Sequence, residues 1–144
     1  MKVLNSLFFV SLLTVANAQL VRVSDNVVKD EKTNFLWQDT KDVKMTKRNY
    51  KEANIYCSNL ELDGSKNWKV PTFLAAFSIV DTKLYNPTLS KEFKNFVSDN
   101  YWTTKTFGHG TSGEAFVVNY LSGAFNRFSM EDKFYVRCYK DLNN

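Results

Sequence analysis

The chain has 144 residues, with 19 Lys and Arg against 15 Asp and Glu, a formal net charge of +4 and a single histidine. That length holds one ordinary core and excludes a second sizeable domain. A balance so mildly basic selects no class of partner.

Residues 1–18 read as a signal peptide: Lys2 opens them, Leu7 to Val15 is apolar, and Ala16-Asn17-Ala18 supplies small residues for cleavage. The mature chain is then 19–144, starting at Gln19, with 18 basic and 15 acidic residues, a net +3. The apolar stretch is too short for a bilayer, which takes roughly 20 apolar residues, and no later segment does better. No cysteine follows the cleavage site, so the usual bacterial lipid attachment is not available. These features predict a soluble periplasmic or secreted protein, for which nucleic acid is excluded as a partner.

Val27 to Asp30 and Phe35 to Gln38 are short β-type runs around the polar Glu31-Lys32-Thr33-Asn34, which predicts an opening hairpin. Asn49 as N-cap and Glu52 three residues on predict a helix from Tyr50 to about Leu60 with a capping box. Tyr50, Ala53, Cys57 and Leu60 fall on one stripe of that helix, turning Cys57 toward the core. Trp68 to Pro71 reads as extended, because the residue before proline is steered away from helix. Thr72 caps a second, unusually apolar helix from Phe73 to Val80. From Asp81 to Asn100 the pattern is irregular, with one helical turn expected at Lys91 to Val97. Tyr101 to Thr104, Ala115 to Tyr120, Ala124 to Phe128 and Phe134 to Tyr139 read as strands, the middle pair joined by Leu121-Ser122-Gly123.

The mature chain carries two cysteines, Cys57 and Cys138. Export and an even count argue for one bridge, two free buried thiols being the other reading. A zinc site is disfavoured, because His109 is the only histidine.

In order along the chain stand Thr33-Asn34-Phe35-Leu36-Trp37-Gln38-Asp39, Tyr50 with Ala53 and Tyr56-Cys57, and Trp68-Lys69-Val70-Pro71-Thr72 running to Val80-Asp81. Tyr101-Trp102-Thr103-Thr104 and Val136-Arg137-Cys138 follow. Together these resemble the Lcl C-terminal domain family of exported bacterial domains, over about Val27 to Lys140. The resemblance implies a C-type-lectin-like α+β domain with two helices on antiparallel sheet. It also implies a disulfide from the first helix to the last strand, which supports Cys57 with Cys138. The family includes the adhesive tip of a collagen-like surface protein that binds host glycosaminoglycans, but no collagen-like repeat occurs in this chain. Leu74 and Ala75 depart from the pattern, where a polar residue and a Glu are usual, and they make the second helix more apolar. The shared residues are mostly Trp, Pro, Cys and apolar types, marks of a scaffold more than of a site.

Calcium-dependent sugar binding of the C-type-lectin kind needs a Glu-Pro-Asn or Gln-Pro-Asp loop and a Trp-Asn-Asp strand, and neither is present. Asn86-Pro87-Thr88 is the nearest approach. The reactive cysteines of the distantly related formylglycine-generating enzymes are lacking, since both cysteines are assigned to the bridge. His109, set in Gly108-His109-Gly110-Thr111-Ser112-Gly113, reads as a residue of a mobile turn rather than the base of a triad. No nucleophile elbow, phosphate-binding glycine loop or singled-out carboxylate pair is visible. No metal and no cofactor is expected.

Two features remain. Lys41, Lys44, Lys47, Arg48 and Lys51, broken by Asp42, form a basic segment suited to a sulfated or phosphorylated polymer, or else a solvated approach to a helix. Tyr101, Trp102, Phe107, Phe116, Tyr120, Phe125 and Phe128 make an aromatic tract of which strand alternation places at least half in the core, leaving the rest for a sugar-stacking surface. The reading is a non-catalytic binding module for an anionic glycan, with Lys44, Lys47, Arg48, Lys51, Phe107 and His109 as candidate contacts. An interaction subunit docking on an envelope or surface-filament protein through the second helix is the alternative, and a small glycan-active enzyme the third. No pattern fixes an oligomeric state.

Overall fold

A computed structural model of the chain describes residues 20–108 and 113–144. The cleavage site and His109 lie outside the described residues. Strands β1 (Leu20–Arg22), β2 (Val27–Asp30), β3 (Phe35–Gln38) and β7 (Tyr139–Asp141) form one antiparallel sheet in the order β1-β2-β3-β7. Strands β4 (Asn100–Phe107), β5 (Glu114–Asn119) and β6 (Phe125–Ser129) form a second, in sequence order. Three helices, α1 (Asp42–Met45), α2 (Tyr50–Asn59) and α3 (Phe73–Ser78), complete an α+β fold. No described helix is long and apolar enough to cross a membrane.

The opening hairpin forms as expected, Val28 facing Trp37 and Asp30 facing Phe35. Its turn closes because Asp30 accepts the Lys32 amide at 2.9 Å and Asn34 takes a left-handed φ of 60°, a conformation Asn tolerates. The first sheet is buried on both faces. Val28, Trp37 and Tyr139 share a core with Ala75 and Ala76 of α3, while Val27 and Leu36 pack with Ala53 and Cys57 of α2.

Helix α2 starts where the sequence places it, Asn49 accepting the Glu52 amide and Glu52 accepting the Asn49 amide, both at 2.9 Å. The inward stripe puts Cys57 against Cys138 with a Cα separation of 5.5 Å, and the two are bridged. Helix α3 is shorter than the expected Phe73 to Val80. The Val80 amide bonds the Phe77 carbonyl in a tight turn, and Val80 then bridges Leu89.

Three other expectations are corrected. The basic approach to α2 is not all loop, since it contains the single turn α1, a third helix that covers buried Val43. Phe134 to Tyr139 is not one strand. Phe134 bridges Arg48, Tyr135 bridges Tyr101, and only from Tyr139 does the chain pair with β3, because the segment crosses from one sheet to the other. Lys91 to Val97 forms no helix, its backbone being drawn around a buried carboxylate described next.

Candidate functional site

The most densely bonded carboxylate among the described residues is Asp39, fully buried just after β3. Its carboxylate accepts from Arg137 at 3.0 Å, from Arg22, and from the backbone amides of Lys94 and Asn95 at 2.9 and 3.0 Å. Arg137, 1% exposed, also donates to the carbonyls of Gln38 and Asn95 and lies over the Phe93 ring. Charge-assisted bonds of this kind are the strong ones. They clamp the 91–97 loop to both β3 and the approach to β7, a structural task that occupies the whole carboxylate.

Burial alone would raise the Asp39 pKa, but Arg137, the Lys94 amide and Arg22 together hold it below the ordinary 3.8. A carboxyl more acidic in the folded than in the unfolded chain contributes stability that is complete above the unfolded value. That contribution is lost as pH falls through the folded one. Acid titration followed by circular dichroism should therefore show stability declining below about pH 4, and Asp39→Asn should flatten that decline.

The basic segment divides in two. Arg48 is structural: its guanidinium donates to Asp42 at 2.8 Å and stacks 3.7 Å from the Tyr56 ring centre, while its amide and carbonyl both bond Phe134. Burial, helped by the Asp42 carboxylate, pushes the Tyr56 phenol up to about 12, so it stays protonated and accepts from Gln38 at 2.7 Å. Lys47 pairs with Asp99 at 3.0 Å and lies over Tyr135, half in solvent. Lys41, Lys44 and Lys51 are exposed and make no ion pair with any described residue.

Phe107 is 56% exposed at the end of β4, with Arg127 stacked 4.0 Å from its ring centre and Glu114 3.5 Å from that arginine. Cross-strand register puts Phe107, Glu114, Phe116, Phe125 and Arg127 on one face of the second sheet. Phe73 and Phe77 of α3 lean against Phe125 on that face, and Lys105 lies over Phe73 and Phe116. Tyr101, Trp102 and Tyr120 are core, and Phe128 packs on Phe134 on the opposite face. Among the described residues no ion pair, hydrogen bond or ring contact joins Phe107 to Lys44, Lys47, Arg48 or Lys51. Sequence reading missed Arg127 and Lys105, although the period-2 spacing of Phe125 and Arg127 signalled a shared face.

Cavities indent the described surface away from these residues. One, of about 440 Å³, is lined by Asp30, Asp81 and Glu92 with Lys32 and Lys91, and another, of about 320 Å³, by Val23, Val27, Leu36, Leu62 and Trp68. None of the described candidate residues, Lys44, Lys47, Arg48, Lys51 and Phe107, lines either. Among the described residues no group of three His, Cys, Asp or Glu side chains is gathered for a metal ion.

Compared with protein-family models, residues 26–140 match the Lcl C-terminal domain. The chain belongs to the Lcl C-terminal domain family. No curated protein matches it. In this Lcl C-terminal domain the motif residues serve the framework. Gln38 supports the Cys138 amide and Tyr56, Asp39 holds Arg137, and the Trp102 indole donates to the Arg48 carbonyl.

Proposed function

We propose that this is an exported, non-catalytic, C-type-lectin-like binding module that recognises an anionic glycan outside the cytoplasm. The observation that carries the reading is the rigid display of Lys41, Lys44 and Lys51. These three exposed cations lack acidic partners among the described residues, on a segment fixed by the Arg48 contacts and the α2 capping box. The held backbone keeps the spacing of the three charges constant, and exposed cations attract a polyanion through a field that salt screens. Lys47 and Arg48, already engaged, contribute to shape more than to contact.

Changing Lys41, Lys44 and Lys51 together to Gln should weaken retention on a heparin column severalfold and flatten its salt dependence. Arg48→Lys should instead lower stability with little effect on retention. Exposed charges contribute at most about 1 kcal/mol each, so the triple variant should melt close to the parent. Unchanged elution of a folded triple variant would refute the anionic-glycan reading.

A second reading, docking onto an envelope protein through α3, is favoured by one observation: Leu74 is 79% exposed at the start of that helix. Leu74→Lys should then abolish co-purification with that partner while leaving heparin elution unchanged.

A further inference from the structure

The second sheet ends at β6, whose outer edge meets no described strand. The phase of its ladder can be read from two bonds, Asn119 amide to Ala124 carbonyl at 2.8 Å and Met130 amide to Gly113 carbonyl at 3.2 Å. With the register Val118 to Phe125 through Glu114 to Ser129, residues Ala124, Asn126, Phe128 and Met130 turn their main-chain groups toward β5. Phe125, Arg127 and Ser129 turn theirs outward. The Ser129 carbonyl is already taken by the Asp132 amide at 3.0 Å, and the Arg127 amide is capped only by its neighbour, the Asn126 side chain, at 2.8 Å. What is offered to a partner is the amide and carbonyl of Phe125 and of Arg127.

We propose that this edge pairs antiparallel with β6 of a second copy of the chain, about a twofold axis through Asn126. The register is self-complementary. Phe125 falls opposite Arg127 of the second copy, and Arg127 opposite its Phe125, so four main-chain hydrogen bonds form and the Asn126 side-chain cap is replaced. Each pair sets a guanidinium against an aromatic ring on the face that carries Phe73, Phe77 and Phe116, a favourable cross-strand combination. It also covers Phe125, which is 57% exposed in the single chain. An axis through Arg127 sets two guanidiniums opposite one another and offers the Phe125 amide to a Ser129 carbonyl already bonded. An axis through Phe125 sets Arg127 against Gly123, whose amide is bonded to Asn119. Only the Asn126 register uses every free group without opposing like charges. The contact is isologous and closes, so it gives a dimer with a six-stranded sheet and no further growth. It is independent of the lysine surface and extends the function proposed above.

Sedimentation of the purified protein over a concentration series should show a monomer–dimer equilibrium. Phe125→Lys, which places a cation opposite Arg127, should weaken dimerisation by about tenfold or more. Phe125→Glu, which places an anion there, should preserve it, and both variants should keep the parent circular dichroism. Asn126→Cys should cross-link into a covalent dimer on mild oxidation, since directly opposed residues of a non-hydrogen-bonded pair stand about 4.5 Å apart at Cα, within disulfide reach. A monomer at every concentration, a larger closed oligomer, or a dimer indifferent to Phe125→Lys and unlinked by Asn126→Cys would overturn the proposal.

Discussion

Asp39→Ala should destabilise the domain by about 3–5 kcal/mol, the cost typical of removing one partner from a buried ion pair. The substitution leaves Arg137, 1% exposed, with two carbonyls and no counter-ion, and it unpairs the amides of Lys94 and Asn95. Asp39→Asn keeps an acceptor oxygen and should cost less. In urea unfolding, Asp39→Ala and Arg137→Met should each be severe, while the double variant should be milder than their sum, because neither partner is left charged and alone. Additive losses would mean that the two residues act separately.

Loss of the Cys57 to Cys138 bridge should have an effect of similar size. The crosslink spans 81 residues, and confining a loop of that length in the unfolded chain stabilises the fold by about 4.5 kcal/mol. The double variant Cys57→Ser with Cys138→Ser should therefore melt on the order of 15 °C lower by calorimetry. It also buries two hydroxyls where the sulfur atoms were wholly excluded from solvent. A fall of only a few degrees would show that packing between α2 and the second sheet carries the burden instead.

What could be read from the sequence is what depends on near neighbours. The α2 capping box and the opening hairpin turn each span four residues, and the inward stripe follows from helical period alone, so each was visible before folding. With only two cysteines the bridge partner was fixed by count, and the family pattern supported it independently. What stayed hidden depends on contacts between remote positions. Asp39 and Arg137 stand 98 residues apart, and Lys47 finds Asp99 across 52. In one dimension the basic segment is a row of free cations, whereas in three it is two engaged residues and three exposed ones. Phe134 to Tyr139 has the composition of a strand but is divided between two sheets, a fact fixed by its partners and not by its own residues. The aromatic tract sorted itself by strand parity, and only register across β4, β5 and β6 assigned the outward members to one face.

The position of the bridge also decides how the domain would carry a mechanical load. Tension applied to β1 at one end and to the residues after β7 at the other passes along the backbone to Cys57 and Cys138, and crosses between them through the sulfurs. The covalent shortcut leaves the second sheet, α3 and the Asp39-clamped loop outside the stretched path. Pulling can therefore peel the first sheet and α2 but cannot draw out the intervening 81-residue separation, which fully extended would add roughly 280 Å. Under such a load the domain would yield by a bounded extension, and Lys41, Lys44 and Lys51 lie on the stretch that feels the pull.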